Sequence, residues 1–125
     1  MKTPRISGSE WEVMSVVWAG APMTATEVFA SLKEGHGWKQ KTVNTFLTRL
    51  VEKGVLAVDR SEKAFAYTPR MSRDECVQAE SDSFLGRVFH GAAGALVLHF
   101  CEHTDLKPEE IRELEQLLKS RKGRK

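Results

Sequence analysis

Only two cysteines, Cys76 and Cys101, occur in the 125 residues, so at most one bridge can form and no disulfide framework can be built. Both thiols are expected free, as in a reducing compartment. Long apolar runs are missing too. The longest, Ala92 to Phe100, is interrupted by Gly94 and His99 and falls far short of the ~20 residues that cross a bilayer. The opening residues Met1-Lys2-Thr3-Pro4-Arg5 carry no apolar stretch of signal-peptide length, so a cytoplasmic protein without membrane insertion is expected. Catalytic signatures are absent as well: the histidines at 36, 90, 99 and 103 stand beside no G-x-S-x-G or H-E-x-x-H pattern. Gly35-His36-Gly37 follows no strand and lacks the last glycine of a phosphate-binding fingerprint, so it reads as a turn. No enzyme, and no cofactor, is expected.

What is present begins with charge. The formal balance of +2 conceals an uneven distribution along the chain. Residues 1 to 70 carry 10 Lys/Arg against 7 Asp/Glu, whereas residues 71 to 118 carry 4 against 10. The tail Lys119-Ser120-Arg121-Lys122-Gly123-Arg124-Lys125 adds five positive charges, which read first as a solvated terminus and second as an arm for phosphates. With 41% hydrophobic residues, the chain has enough apolar material for one core but is too short for two ordinary independent domains.

Periodicity places three helices in the first half. The first runs from Ser7 or Ser9 to Trp18, with Glu12 three residues after Ser9 as a capping box and Trp11, Met14, Val17 and Trp18 as its apolar stripe. Gly20-Ala21-Pro22 breaks it. Thr24, with Glu27, caps a second helix that turns Val28, Phe29 and Leu32 inward. A third, about Lys39 to Lys53, spends Val43, Phe46, Leu47, Leu50 and Val51 on the core, and Gly54 stops it. Val55, Leu56 and Val58, a charged tip from Asp59 to Lys63, and then Phe65, Tyr67 and Thr68 before Pro69 read as a hairpin. Three helices followed by a two-stranded ribbon is the order of a winged helix-turn-helix domain, residues 1–70. Residues 71–125 read as a helical dimerisation region with a basic tail, so the expected class is mainly α with a small β-ribbon.

Within that second region Ser72 caps a helix reaching about His90, with Val77, Phe84, Leu85, Val88 and Phe89 apolar. Ala92 to Cys101 is apolar on nearly every side, a pattern that demands burial a chain this small cannot supply alone. Pro108 opens a last helix with the stripe Ile111, Leu114, Leu117 and Leu118. A second copy of the chain is the natural cover, so Phe84, Leu85, Val88, Leu96, Val97, Phe100, Leu114 and Leu117 are assigned to a homodimer interface.

The outer face of the third helix carries Lys41, Thr42, Thr45 and Arg49, flanked by Asn44 and Thr48, with Glu52 alone acidic. Such a face on any helix is usually mere solvated surface. On the third helix of this order it suits the major groove, where Arg and Lys bond guanine edges, Asn reads adenine and Thr meets phosphates or thymine methyls. Arg60 and Lys63 at the hairpin tip suit the adjacent backbone. Double-stranded operator DNA is therefore the expected partner.

The wording of several segments also resembles one family over residues 6 to about 119. Ser9-Glu10-Trp11-Glu12-Val13-Met14 with Val17-Trp18, then Trp38 with Lys41 through Leu50, Lys53-Gly54, and Leu96-Val97-Leu98-His99-Phe100 are similar to the BlaI/MecI/CopY family of bacterial penicillinase and copper-response repressors. The resemblance implies a homodimeric repressor of transcription on a palindromic operator, relieved by an inducing signal. In the beta-lactam-responsive members it implies cleavage in the arm between Asn and Phe by a sensor protease. That bond corresponds to His99-Phe100 here, with the asparagine replaced. The copper-responsive members' Cys-x-Cys pair has no counterpart after Cys101, and Asn44 stands where staphylococcal members tend to have Arg. Two other readings remain: a metal-responsive regulator using His99, Cys101 and His103, and a protein-interaction module that binds no specific DNA. No metal site is assigned.

Overall fold

The computed structural model of the chain describes residues 4–123. Met1 to Thr3, Arg124 and Lys125 lie outside the described residues, and with them the start of the leader reading and the end of the basic tail. The elements run α1 (Gly8–Gly20), β1 (Met23–Thr24), α2 (Ala25–Leu32), α3 (Gln40–Glu52), β2 (Leu56–Asp59), β3 (Ala66–Pro69), α4 (Arg73–Phe89), α5 (Ala93–His103) and α6 (Pro108–Lys122). The chain divides into two compact units, Met1–Ser81 and Asp82–Lys125. The expected class, helices with a small β-ribbon and a winged helix-turn-helix first, is what is found.

In the first unit, α1 starts two residues earlier than the Ser9/Glu12 box implies. Ser7 is the N-cap, its hydroxyl accepting from the Glu10 N–H at 3.2 Å while the Glu10 carboxylate accepts from the Ser7 N–H at 2.9 Å. Both serines stand three residues before a glutamate, so spacing alone could not choose between them. Burial chooses. Val13, Met14 and Val17 are wholly enclosed, whereas Trp11 and Trp18 pack at the margin of the core against each other, ring centroids 5.6 Å apart. The Trp18 indole N–H donates to the Met71 carbonyl at 3.0 Å and so holds the segment that follows the hairpin. Thr24 and Glu27 form the expected reciprocal cap of α2.

Helix α3 closes with a Schellman arrangement: the Val55 N–H reaches the Leu50 carbonyl, the Gly54 N–H reaches Val51, and Gly54 takes φ +81. Its open surroundings mean that only the left-handed backbone, not crowding, calls for glycine there. Val55, now buried, starts the ribbon. The ribbon is not two-stranded. Two residues, Met23 and Thr24, pair antiparallel with Tyr67 and Ala66, giving a three-stranded sheet of order β1-β3-β2. So short a strand has no periodicity for a sequence to reveal, yet it ties the hairpin to the start of α2. Leu32, Val43, Leu47, Leu50 and Leu56 complete the core with Ile6 and Val28. Cys76, on the first turns of α4, is also buried in it, so the unit extends past the hairpin, beyond the expected boundary at residue 70.

The second unit is helical and thinly covered. Ser72 and Glu75 cap α4 reciprocally, as expected of Ser72. Neither α5 nor α6 has a buried residue. Phe84, Phe89 and His99 form a chain of tilted ring contacts near 6 Å. Among the described residues no single helix is long and apolar enough to cross a membrane.

Candidate nucleic-acid interface

The α3 face emerges from simple angular bookkeeping. With Val43, Leu47 and Leu50 sealed against α1 and α2, Lys41, Asn44, Thr45, Thr48 and Arg49 are thrown outward and all are exposed. Together with Glu52 they line one shallow concave surface. Thr42 is half-buried and lies outside it, because its position on the wheel is nearer to Phe46. Asn44 and Thr48 also belong to a second concavity, shared with Thr24, Thr26, Lys63, Phe65 and Tyr67. It brings the recognition face, the first turn of α2 and the wing to one place. Arg60 is exposed at the tip but lines neither surface; its guanidinium lies over the Phe65 ring at 5.6 Å. Asp59 shapes that tip by accepting from the Ser61 N–H at 2.9 Å. The Ser61 hydroxyl and N–H together hold its carboxyl below the usual range.

The hydrogen-bond chemistry of the face is already partly spent. Thr45 donates its hydroxyl to the Lys41 carbonyl at 3.1 Å and Thr48 donates to the Asn44 carbonyl at 3.0 Å. Outward, these threonines therefore offer an acceptor lone pair and a methyl group. Lys41, Arg49 and the Asn44 amide supply the donors.

What supports α3 from behind escaped sequence reasoning. Glu10 is 1% exposed, the only buried charged side chain among the described residues. Its carboxylate receives the Lys53 ammonium and the Ser7 N–H, while Lys53 also donates to the Arg5 carbonyl at 2.7 Å. Burial pushes the Glu10 carboxyl up, but the hydrogen bonds from Lys53 and Ser7 and the Lys53 charge outweigh it, holding the group below its ordinary value. The pair pins the end of α3 to the start of α1. Lys53-Gly54 and Glu10 were both visible as words, but nothing in a single sequence couples residues 43 apart.

In the second unit Phe84, Leu85, Leu96 and Leu114 are half-buried, and Val88, Val97, Phe100 and Leu117 are exposed. Ile111, Leu98 and Leu118 are exposed too, the latter two at 62% and 56%. His99 and His103 stack at 4.5 Å, and a His103 ring nitrogen lies 2.9 Å from the His99 carbonyl. Cys101 projects from the opposite side of α5, two residues being 200° of helix. Among the described residues no three metal-ligating side chains gather.

A helix-turn-helix with its third helix exposed beside a sheet-borne hairpin defines a winged-helix protein. The sequence profile described as penicillinase repressor matches residues 6–120. The chain is 39% identical over 124 residues to the penicillinase repressor of Bacillus licheniformis, covering 99% of this chain and 97% of that one. It is 33% identical over 117 residues to the methicillin resistance regulatory protein MecI of Staphylococcus aureus strain N315, covering 94% and 95%. Among solved structures, the DNA-binding domain of the repressor BlaI superposes with TM-score 0.54 at 37% identity, over 60% of this chain and 93% of that domain. The monomeric Bacillus licheniformis BlaI in complex with the blaP half-operator gives TM-score 0.52 at 36% identity, over 59% and 90%. The chain belongs to the penicillinase repressor family, a family of transcriptional repressors and not of enzymes.

Proposed function

We propose that the protein is a cytoplasmic, homodimeric transcriptional repressor that reads a palindromic operator with α3 and steadies it with the wing. The observation that carries this reading is the single outward face on which Lys41, Asn44, Thr45, Thr48 and Arg49 line one surface and meet Lys63 of the wing at its edge. Arg and Lys meet guanine edges or phosphates there, and the threonine methyls and lone pairs meet base edges between them. Thr42 and Arg60 serve the flanking backbone. The related BlaI, solved in complex with the blaP half-operator, supports operator DNA as the partner.

Exposed Val88, Val97, Phe100 and Leu117, with half-buried Phe84, Leu85, Leu96 and Leu114, support a second copy as the partner of the C-terminal unit. Two joined subunits set two α3 helices in successive major grooves, and repression follows from excluding polymerase. The inducing signal acts on this arm. Cleavage by a sensor protease at His99-Phe100 would require α5 to unwind first, since that bond lies inside the helix.

Fluorescence anisotropy of the protein with duplex DNA from upstream of its own gene, against a scrambled duplex and at several salt concentrations, tests the reading. A preference of about 10³ or more with a steep salt slope is expected. Equal, weak binding to both duplexes would remove sequence-specific repression at that promoter.

A further inference from the structure

We infer that Gln40 is a positioning residue that turns the Asn44 amide so that Asn44 favours guanine over adenine in the operator. The inference rests on α3 being the recognition helix. Gln40 Nε2 lies 3.1 Å from the Ala25 carbonyl oxygen and 2.9 Å from Asn44 Oδ1. A backbone carbonyl can only accept, so the Gln40 atom facing it is the nitrogen, and the carboxamide has one orientation. One N–H goes to Ala25. The other goes to Asn44, whose facing atom must then be its acceptor, Oδ1. A backbone group in α2 thereby dictates, through Gln40, which way an exposed amide on α3 points.

The consequence is chemical. Bidentate recognition of adenine needs an asparagine Oδ1 that takes the N6–H while Nδ2 donates to N7. Here Oδ1 is drawn back along the helix toward Gln40, and Nδ2 is left to present two N–H bonds. Guanine offers two acceptors, N7 and O6, on the same edge. Thr45 and Thr48 have already donated their hydroxyl hydrogens to helix carbonyls, so Asn44 is the neutral donor of the face. It also stands, with Thr48, where the two concave surfaces meet.

The experiment selects bound sequences from a randomised duplex library with the full-length wild type, Asn44→Ala, Gln40→Met and Gln40→Lys. The position whose preference disappears in Asn44→Ala identifies the base that Asn44 reads. Wild type is expected to hold guanine there about tenfold over adenine, the value of one good base contact. Gln40→Met, which fills the space but donates nothing, should bring the two bases within about threefold while other positions keep their preferences. Gln40→Lys can still donate to both Ala25 and Asn44 and should restore guanine. Adenine in the wild type, no position that depends on Asn44, or an unchanged ratio in Gln40→Met with affinity lowered uniformly would each overturn the inference. If wild type enriches no motif at all, it is the reading of α3 as the recognition helix that fails.

Discussion

The two units give over similar shares of their residues to apolar side chains, with opposite effect. In the first, Val13, Met14, Val17, Val28, Val43, Leu47 and Leu50 lose essentially all contact with solvent; in the second, Val97, Leu98, Phe100, Leu117 and Leu118 keep 41% to 62% of theirs. The difference comes from periodicity meeting geometry. Helices α1 to α3 turn one stripe each toward a common centre, whereas α5 is apolar on more sides than its own chain can cover. One unit completes its core within the chain; the other leaves large apolar side chains exposed.

The contrast can be broken from either side. Leu47→Ala should destabilise the first unit by about 3 kcal/mol, through lost transfer energy and a cavity in a wholly buried site. Leu117→Ala in the second should leave that same transition unmoved; urea unfolding followed by tryptophan emission compares them. Leu96→Asp places a charge on the apolar arm and should weaken self-association by about 10² or more, giving monomers at micromolar concentration while each half-site is still bound. A dimer persisting in sedimentation at that concentration would move the interface elsewhere.

Lys53→Met removes the partner of a buried carboxylate and should cost about 2 kcal/mol, at the low end for such pairs because Lys53 is a third exposed. Because the Glu10 carboxyl titrates below its ordinary value of 4.5 in the folded state, it contributes stability that is complete above that value and is lost as pH falls through the lowered one. In the variant the hydrogen bond and charge of Lys53 no longer hold the carboxyl down while burial still pushes it up, so this contribution shrinks. Urea midpoints measured from pH 7 down to pH 3 should show the Glu10 contribution falling away at the acid end for wild type, so that the gap between wild type and Lys53→Met is widest near pH 7 and narrows as pH falls. On the DNA face the effects fall on affinity and not on folding. Arg49→Ala should cost about 1 to 3 kcal/mol of operator affinity without altering dimerisation, and Lys63→Ala should mainly reduce the salt slope by about one. Anisotropy titrations at several salt concentrations separate the two.

Much of this was legible. Hydrophobic spacing located every helix to within a few residues, Gly54 marked the end of α3, and Thr24-Glu27 and Ser72 announced their helices because capping chemistry is local. The outward set on α3 followed from the same spacing, except that Thr42 is half-buried beside the core margin. What stayed hidden depends on contacts between distant residues. The choice of Ser7 over Ser9, the strand Met23–Thr24, the Glu10-Lys53 pair and the Gln40 link from Ala25 to Asn44 all depend on a second segment arriving from elsewhere in the chain.

The placement of the aromatic rings has an optical consequence. All three tryptophans fall in the first unit, with Trp11 and Trp18 paired at the core margin and Trp38 between the His36 ring and the edge of Phe46. Indole emission therefore reports on the DNA-facing half alone, while far-ultraviolet ellipticity sums the helices of both. A melt in which the two signals part company would assign each transition to its half of the chain without any label.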